Sequence, residues 1–380
     1  MSFITTIGPK SARKYRARWR TPDGRSRSRT FARKVDAQHH LDSVGVSVAK
    51  GTYVDPKAGK VTFRAFAESW RAMQVHRPGT TKSVEQQLRL HVYPHLGGRP
   101  IGAVRPSEIQ AMVQRLGMSL APSTVEVIYG RVVAVFRAAI RDRVITTSPC
   151  VAVRRPPSAP ASALQVLTSE QVVAIAETVP ERYRALIIAG AGTGLRPGEL
   201  FGLDVAHVDF LRRVVRVDQQ LARVAGGGVG LAPPKTPASY RTVPLPTTVA
   251  DALAAHLARW SPHAELGVIF TSSTGGPVQQ VPWASVWETA RRRAGLPAWA
   301  TPHDLRHHYA SVLIRSGASV KVVQTRLGHA SAKTTLDTYG HLFPDEEDRT
   351  RAAVDEAFAA AAASASHLRH ERPESVRFPS

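Results

Sequence analysis

Two short stretches of turn and breaker residues govern how this chain can fold, because they cut it into three blocks. The first, residues 51 to 60, holds two glycines, a proline and several charged side chains. The second, Arg154-Arg155-Pro156-Pro157-Ser158-Ala159-Pro160, is cationic and stiffened by its prolines. At 380 residues, and with domains of roughly 100 to 200 residues each, the chain is expected to build two or three cores. A single small module is excluded, and no internal repeat is evident.

Each block has its own pattern. In the first, Tyr15, Ala17 and Trp19 alternate with Arg16, Arg18 and Arg20, the period of a half-buried strand with one cationic face. Pro22-Asp23-Gly24 signals a turn. A second alternating run from 25 to 31 follows, carrying Arg27 and Arg29, and then a helix is predicted over 34–48. A small sheet with a helix on its back results, its Arg-rich face open to a groove or a phosphate backbone; the competing reading is a solvated charged hairpin. The second block predicts a bundle of helices at 63–73, 81–93, 106–116 and 123–143, punctuated at Pro78-Gly79, Gly97-Gly98 and Pro122, with Ser107 and Ser123 near helix starts. Its last helix spaces Val125, Ile128, Val132, Val135, Phe136 and Ile140 on one face, with Arg131, Arg137, Arg141 and Arg143 interspersed. The third block mixes predicted helices (169–178, 183–192, 247–259, 283–294, 304–316, 319–327) with β runs near 214–217 and 241–245. An Ala-rich helix is expected at 352–365, with Val354 and Phe358 on one face, and the last dozen residues are expected to be disordered.

Charge narrows the partner. Lys plus Arg number 51 against 29 acidic residues, a net of +22, distributed as +10 over residues 1–60, +9 over 61–160, +6 over 161–344 and −3 over 345–380. Such an excess favours a polyanion, with nucleic acid the first candidate, gripped mainly by the first 160 residues. One cysteine, Cys150, excludes an intramolecular disulfide framework and a Cys-ligated zinc finger, and suits a reducing cytoplasm. With no signal-like apolar run at the start and no stretch of about 18 apolar residues, a soluble intracellular protein without a membrane partner is expected.

The residues able to do chemistry are scattered through the third block. No phosphate-binding or dinucleotide glycine motif appears, and Gly226-Gly227-Gly228 reads as a loop tip. Arg196 lies at a glycine turn just before Pro197, a residue suited to the first helical position, where its guanidinium can meet an anion; Glu199, three residues on, can hold it in place. His303 and Arg306 stand at i and i+3, able to face one ligand. His303 and His307, at i and i+4, keep a metal pair open as a rival, without the His-Glu-x-x-His pattern that would support it. His329 follows Gly328 at a predicted helix end, either facing the site or capping the helix. Lys235 is notable because the chain uses 41 Arg and 10 Lys, and a lysine can release a proton where an arginine cannot. Tyr339 needs cationic neighbours or a base to act as a nucleophile; a core role is its plainer reading.

Taken together, Thr193 to Leu200, then Lys235-Thr236 with Ser239, Arg241 and Val243-Pro244-Leu245, then His303 to Ser311 continuing through Leu327-Gly328-His329 to Tyr339-Gly340-His341, closely resemble the motifs of the tyrosine recombinases, the phage-type integrases, in their expected order. The resemblance covers nearly the whole chain. It implies a multidomain, mainly α protein: a small α+β arm-binding domain at 1–55, a helical (SAM-like) core-binding domain at 61–157, a mostly helical catalytic domain with a small antiparallel sheet at 165–345, and a C-terminal helix and tail at 346–380. It implies that Arg196, Lys235, His303, Arg306 and His329 surround the scissile phosphate, that Tyr339 is the nucleophile, and that neither ATP nor a metal cofactor takes part. Candidate DNA contacts are Arg16, Arg18, Arg20, Arg27, Arg29, Arg131, Arg141, Arg154, Arg155 and Arg241. The implied partners are double-stranded DNA at core-type and arm-type attachment sites, a homo-tetramer on DNA, an excisionase and a host DNA-bending protein, in the cytoplasm of a bacterial host and associated with its nucleoid. A type IB topoisomerase and a non-catalytic DNA-binding regulator remain as alternatives.

Overall fold

The alternating residues of the first block form a three-stranded antiparallel sheet in the order β1-β2-β3, Phe3–Ile7, Lys14–Arg20 and Ser26–Phe31, in a computed structural model that describes residues 2–22, 24–157, 164–224, 227–343 and 347–370. Strand β1 adds an edge that the alternation of the two Arg-rich runs does not announce. The turn between β2 and β3 is closed by Thr21 and Arg25, the Thr21 N–H donating to the Arg25 carbonyl at 2.9 Å; Asp23 lies outside the described residues. Helix α1, Lys34–Ala49, covers one face, where Ala17, Trp19, Ala37, Leu41 and Tyr53 form a small core. The Trp19 indole donates to the Tyr53 hydroxyl at 2.9 Å, and Asp55 pairs with Arg27. The stretch at 51–60 is therefore tied to the sheet at its start rather than slack.

Register sorts the arginines of the two strands between the two faces. Trp19 stands opposite Arg27 and Ala17 opposite Arg29, and directly opposed residues share a face. Arg27 and Arg29 thus flank the helix-covered side, Arg27 held by Asp55 and Arg29 stacked 5.3 Å over the Phe31 ring. The open face carries Arg16, Arg18 and Arg20 with Ser26, Ser28 and Thr30.

The rest of the first compact unit, Met1–Ser162, is helical: α2 Phe63–Ala72, α3 Pro78–Gln87, α4 Tyr93–Leu96, α5 Pro106–Gly117 and α6 Pro122–Arg141. Three of these helices begin on proline, which has no N–H to lose in a first turn, so α3 starts three residues before the predicted point. A π-turn at Leu88–Val92 joins α3 to α4, a wider turn that tolerates the missing donor of Pro94. Phe63, Leu88, Ile109, Ile128, Val132 and Phe136 pack in its core. Arg131 is partly buried and donates to Gln87 at 3.3 Å; Arg141 is exposed. The second linker begins anchored, with the Arg154 backbone bonded both ways to the Gln110 amide at 2.8 and 3.0 Å and Arg155 paired with Glu126 at 2.5 Å. Residues 158–160 lie outside the described residues.

In the second unit, Ala163–Ser380, helices α7 Ser169–Thr178, α8 Arg184–Thr193, α9 Pro197–Phe201, α10 Thr247–Arg259, α11 Gln280–Arg293, α12 Asp304–Arg315, α13 Val320–Leu327, α14 Ala332–Tyr339 and α15 Glu347–His370 surround two small sheets. Strands β4 Val208–Asp209, β5 Val214–Val217 and β8 Arg241–Pro244 form one sheet, and β6 Gln220–Arg223 with β7 Val229–Ala232 a hairpin; Gly226 lies outside the described residues. Helix α8 is packed on by α7, α10 and α12. The mainly α, multidomain class with small antiparallel sheets is the observed one. Helix α14, absent from the sequence expectation, is rich in β-branched threonine, a poor helix former, but starts on Ser331, whose hydroxyl accepts from the Thr334 N–H at 3.4 Å. The C-terminal helix runs longer at both ends than expected, with Val354 and Phe358 exposed; the tail at 371–380 lies outside the described residues. Among the described residues no helix is long and apolar enough to cross a membrane.

Candidate active site

The site begins where α8 ends. Gly194 takes a left-handed φ of +62°, and a Cβ there would stand 2.3 Å from the Tyr309 ring, so only glycine fits this turn. The turn leaves Arg196 immediately before α9 and brings Glu199 back beneath it. The Glu199 carboxylate accepts from the Arg196 backbone N–H at 3.0 Å and from its Nη1 at 2.8 Å. It also accepts from Arg241 Nη1 and Nη2 at 3.2 and 2.8 Å. Glu199 is 4% exposed. Burial alone would raise its pKa, but the Arg241 hydrogen bond and charge, with Arg196 behind them, hold it below the ordinary value.

Arginines converge on the end of α13. Gly328, at a φ of +65°, closes that helix, with the His329 N–H donating to the Gln324 carbonyl at 3.0 Å and the Gly328 N–H to Thr325 at 3.1 Å, the double bond of a Schellman cap. The next three carbonyls are each met by an arginine: Arg326 by Arg241 Nε at 2.8 Å, Leu327 by Arg306 Nη2 at 2.5 Å, and Gly328 by Arg196 Nη2 at 2.8 Å. Arg306 also donates to the Gly194 carbonyl at 2.7 Å, and Arg196 to the Ser239 hydroxyl at 3.2 Å. Arg306 is 3% exposed, and among the described residues no carboxylate pairs with it. Burial first, then the charges of Arg196 and Arg241, lower its pKa. A buried cation held by carbonyls alone keeps its charge uncompensated and so favours a nearby anion.

Tyr339, the last residue of α14, is 1% exposed, and its hydroxyl lies 2.8 Å from His307 Nδ1. The His329 ring is stacked near-parallel to it, at 6.3 Å and 9°, and His329 Nδ1 bonds the Thr335 hydroxyl at 2.9 Å. His303 stands exposed at the head of α12, its ring 4.9 Å from that of His307. The buried Asp304 fixes this helix start, accepting from the Thr301 N–H and hydroxyl, both at 2.7 Å. Burial pushes Tyr339 up to about 12, against the pull of Arg306. Burial, aided by the neighbouring cations, brings His329 down to about 4; burial and the His303 and Arg306 side chains do the same for His307.

Five of the six sequence candidates, Arg196, His303, Arg306, His329 and Tyr339, are thus joined by contacts through a shared set of neighbours. Lys235 is exposed on the loop between β7 and β8, four residues before Ser239. Arg241 is corrected: it is 9% exposed and its guanidinium is occupied by Glu199, Ser239 and Arg326, so it buttresses the site from inside instead of offering a surface to DNA. The strand's own alternation carries that signal, because Arg241 shares parity with the buried Val243 and Leu245. His307 and Thr335 stand outside the sequence set; the i, i+4 relation of His303 to His307 puts the former pair on one face, but nothing in sequence joins His307 to Tyr339.

Glu199→Gln leaves two arginines short of their buried counter-charge, and a stability loss of about 3 to 5 kcal/mol is expected, read from the urea midpoint near neutral pH. The carboxylate's contribution is complete above the ordinary glutamate pKa of 4.5 and is lost as pH falls below it. Histidine acts over a different range. His307 and His329 bind protons less readily folded than unfolded, so stability is expected to decline as pH falls from 6.5 toward about 4. Replacing both with asparagine should make the decline of the urea midpoint between neutral pH and the acid end of that range shallower, other histidines whose pKa is lowered in the fold supplying what remains.

Comparison with known proteins identifies the family. The model of the phage integrase family matches residues 165–346, and that of the phage integrase central domain matches residues 63–156. A putative prophage phiRv2 integrase of Mycobacterium tuberculosis is 25% identical over 88% of this chain and 93% of its own length. The integrase of Mycobacterium phage D29 is 26% identical over 81% of this chain and 84% of its own. In fold, the chain is similar to the Tn1549 transposon integrase solved in complex with a circular intermediate DNA, with a TM-score of 0.67 at 24% identity, covering 78% of this chain and 99% of that one. These matches favour the integrase reading over a topoisomerase or a non-catalytic regulator. The chain belongs to the phage integrase family of tyrosine recombinases, site-specific enzymes that cut and rejoin DNA by transesterification at a tyrosine.

Proposed function

We propose that this chain integrates mobile DNA at attachment sites, with Tyr339 as the nucleophile and Arg196, Lys235, His303, Arg306 and His329 around the scissile phosphate. The carrying observation is the convergence of Arg196 and Arg306 on one helix end that is followed directly by His329 and then by Tyr339. Tyr339 Oη attacks phosphorus, the bond to the 5′-oxygen breaks, and the 3′-phosphotyrosyl link keeps the bond energy for rejoining to a partner strand. Arg196 and Arg306 stabilise the charge on the non-bridging oxygens, a role suited to preorganised donors in a dry site. Lys235 protonates the leaving 5′-oxygen, His329 hydrogen-bonds the phosphate, and His303 assists from the rim. Glu199, with Arg241 behind it, keeps Arg196 aimed.

The domain assignments follow the same reading: residues 1–55 bind arm-type sites, 61–157 and 165–345 bind the core site, and the C-terminal helix, its Val354 and Phe358 exposed, packs on a neighbouring copy within a tetramer on DNA. An excisionase and a host bending protein set direction, in the bacterial cytoplasm on the nucleoid. In the first domain the face suited to phosphate is that of Arg16, Arg18 and Arg20. On a suicide duplex carrying the core site, Tyr339→Phe is expected to form no covalent adduct while still binding; an adduct in that variant would refute the assignment. Replacing Arg16, Arg18 and Arg20 with alanine should reduce the slope of log affinity against log salt by about 3, close to one for each phosphate that is no longer neutralised, measured by fluorescence anisotropy on duplex DNA. An unchanged slope would remove this face from the interface.

A further inference from the structure

The group within hydrogen-bonding distance of the Tyr339 hydroxyl is His307, with Nδ1 at 2.8 Å and ring centroids 5.5 Å apart. His303 reaches Tyr339 only through His307, its ring lying edge-on at 4.9 Å. We propose that His307 is the proton acceptor for Tyr339 in strand cleavage and the proton donor to it in rejoining, a role that rests on Tyr339 being the nucleophile. As Oη forms its bond to phosphorus, the phenolic proton passes to His307 Nδ1, and the bond from phosphorus to the 5′-oxygen breaks, that oxygen taking a proton from Lys235. In rejoining, a 5′-hydroxyl gives its proton to the Lys235 amine and bonds phosphorus, the phenolate leaves, and the imidazolium returns the proton to Oη. No atom or electron pair is left unassigned.

The surroundings explain when this transfer occurs. His307 is faced by His303, Asp304 and Arg306 from its own helix, by Tyr339 from α14, and by His329 from the turn after α13. Burial, then His303 and Arg306, hold the imidazole neutral, with Asp304 acting in the opposite sense. Its lone pair is therefore available at neutral pH, but it is a weak base against a phenol pushed up to about 12. A phosphodiester lodged on Arg196 and Arg306 adds negative charge to this pocket, which favours an imidazolium and offsets the cations that oppose it. Proton transfer is thereby tied to bound DNA.

The test uses the full chain and a suicide duplex carrying the core site mapped at the junctions of the integrated element. Wild type, His307→Ala, His307→Gln and His303→Ala are compared, each with natural tyrosine at 339 or with a fluorinated tyrosine of lower phenol pKa. His307→Ala and His307→Gln are both expected to bind the duplex normally and to form the adduct about 100-fold more slowly; the fluorinated tyrosine should recover most of that loss, and do so for neither wild type nor His303→Ala. Glutamine keeps a hydrogen bond to Oη but cannot accept the proton, so a His307→Gln variant near the wild-type rate would overturn the proposal, as would a slow His307 variant that the fluorinated tyrosine leaves unrescued. A wild-type chain that forms no adduct would overturn the nucleophile assignment and this role with it, whereas a wild-type adduct unaffected by His307 substitution would overturn this role alone.

Discussion

The C-terminal end of α13 is the anchor of the site. A helix end exposes carbonyls without intrahelical partners and carries partial negative charge, and here Arg241, Arg306 and Arg196 satisfy three of them in succession, at 2.8, 2.5 and 2.8 Å. Three guanidinium groups would otherwise repel one another in a buried setting. The helix end and the Glu199 carboxylate offset that repulsion, and the left-handed turn at Gly328 makes the arrangement possible. A Cβ at Gly328 would stand 2.8 Å from the Ala238 carbonyl and 3.1 Å from Arg241 Nη1, so glycine is required both for the turn and for the arginine beside it.

From this anchor the electrostatics of the rest of the site follow. One carboxylate, Glu199, is shared between Arg196 and Arg241, while Arg306 is held by the carbonyls of Gly194 and Leu327, which leave its charge uncompensated. Burial first, and then the surplus positive charge, disfavour the protonated forms of His307 and His329. Burial meanwhile keeps the Tyr339 phenol protonated. The site therefore holds a buried, protonated phenol beside imidazoles that bind protons weakly and a cluster of arginine cations.

Much of this is legible in the sequence. Helices α7 and α10 and strand β5 occupy the spans their periodicity predicts, and of the ordered Arg, Lys, His-x-x-Arg, His and Tyr set the fold brings all but the lysine into one cluster. The misses share a physical cause. Arg27 and Arg241 each read as surface cations because arginine is seldom buried, yet Arg27 is half-buried and Arg241 buried, and each shares strand parity with apolar neighbours, Phe31 in one case and Val243 and Leu245 in the other. Parity assigns a face; only the register between strands shows which face is covered. Helix α14 is hidden by its threonines, whose low intrinsic propensity is overridden by the Ser331 cap and by burial of Thr335 and Tyr339. The His307–Tyr339 contact spans 32 positions between two helices, and no local pattern encodes a meeting at that distance.

The most direct test of the account is to identify the atom that carries the DNA. The wild-type chain, trapped on a suicide duplex and digested with protease and nuclease, can be read by tandem mass spectrometry. The expected result is a nucleotide joined through its 3′-phosphate to Tyr339 in the peptide that follows His329. A nucleotide on any other residue, or attached through its 5′-phosphate, would contradict the assignment of this helix end and its arginines as the cradle of the reacting phosphate.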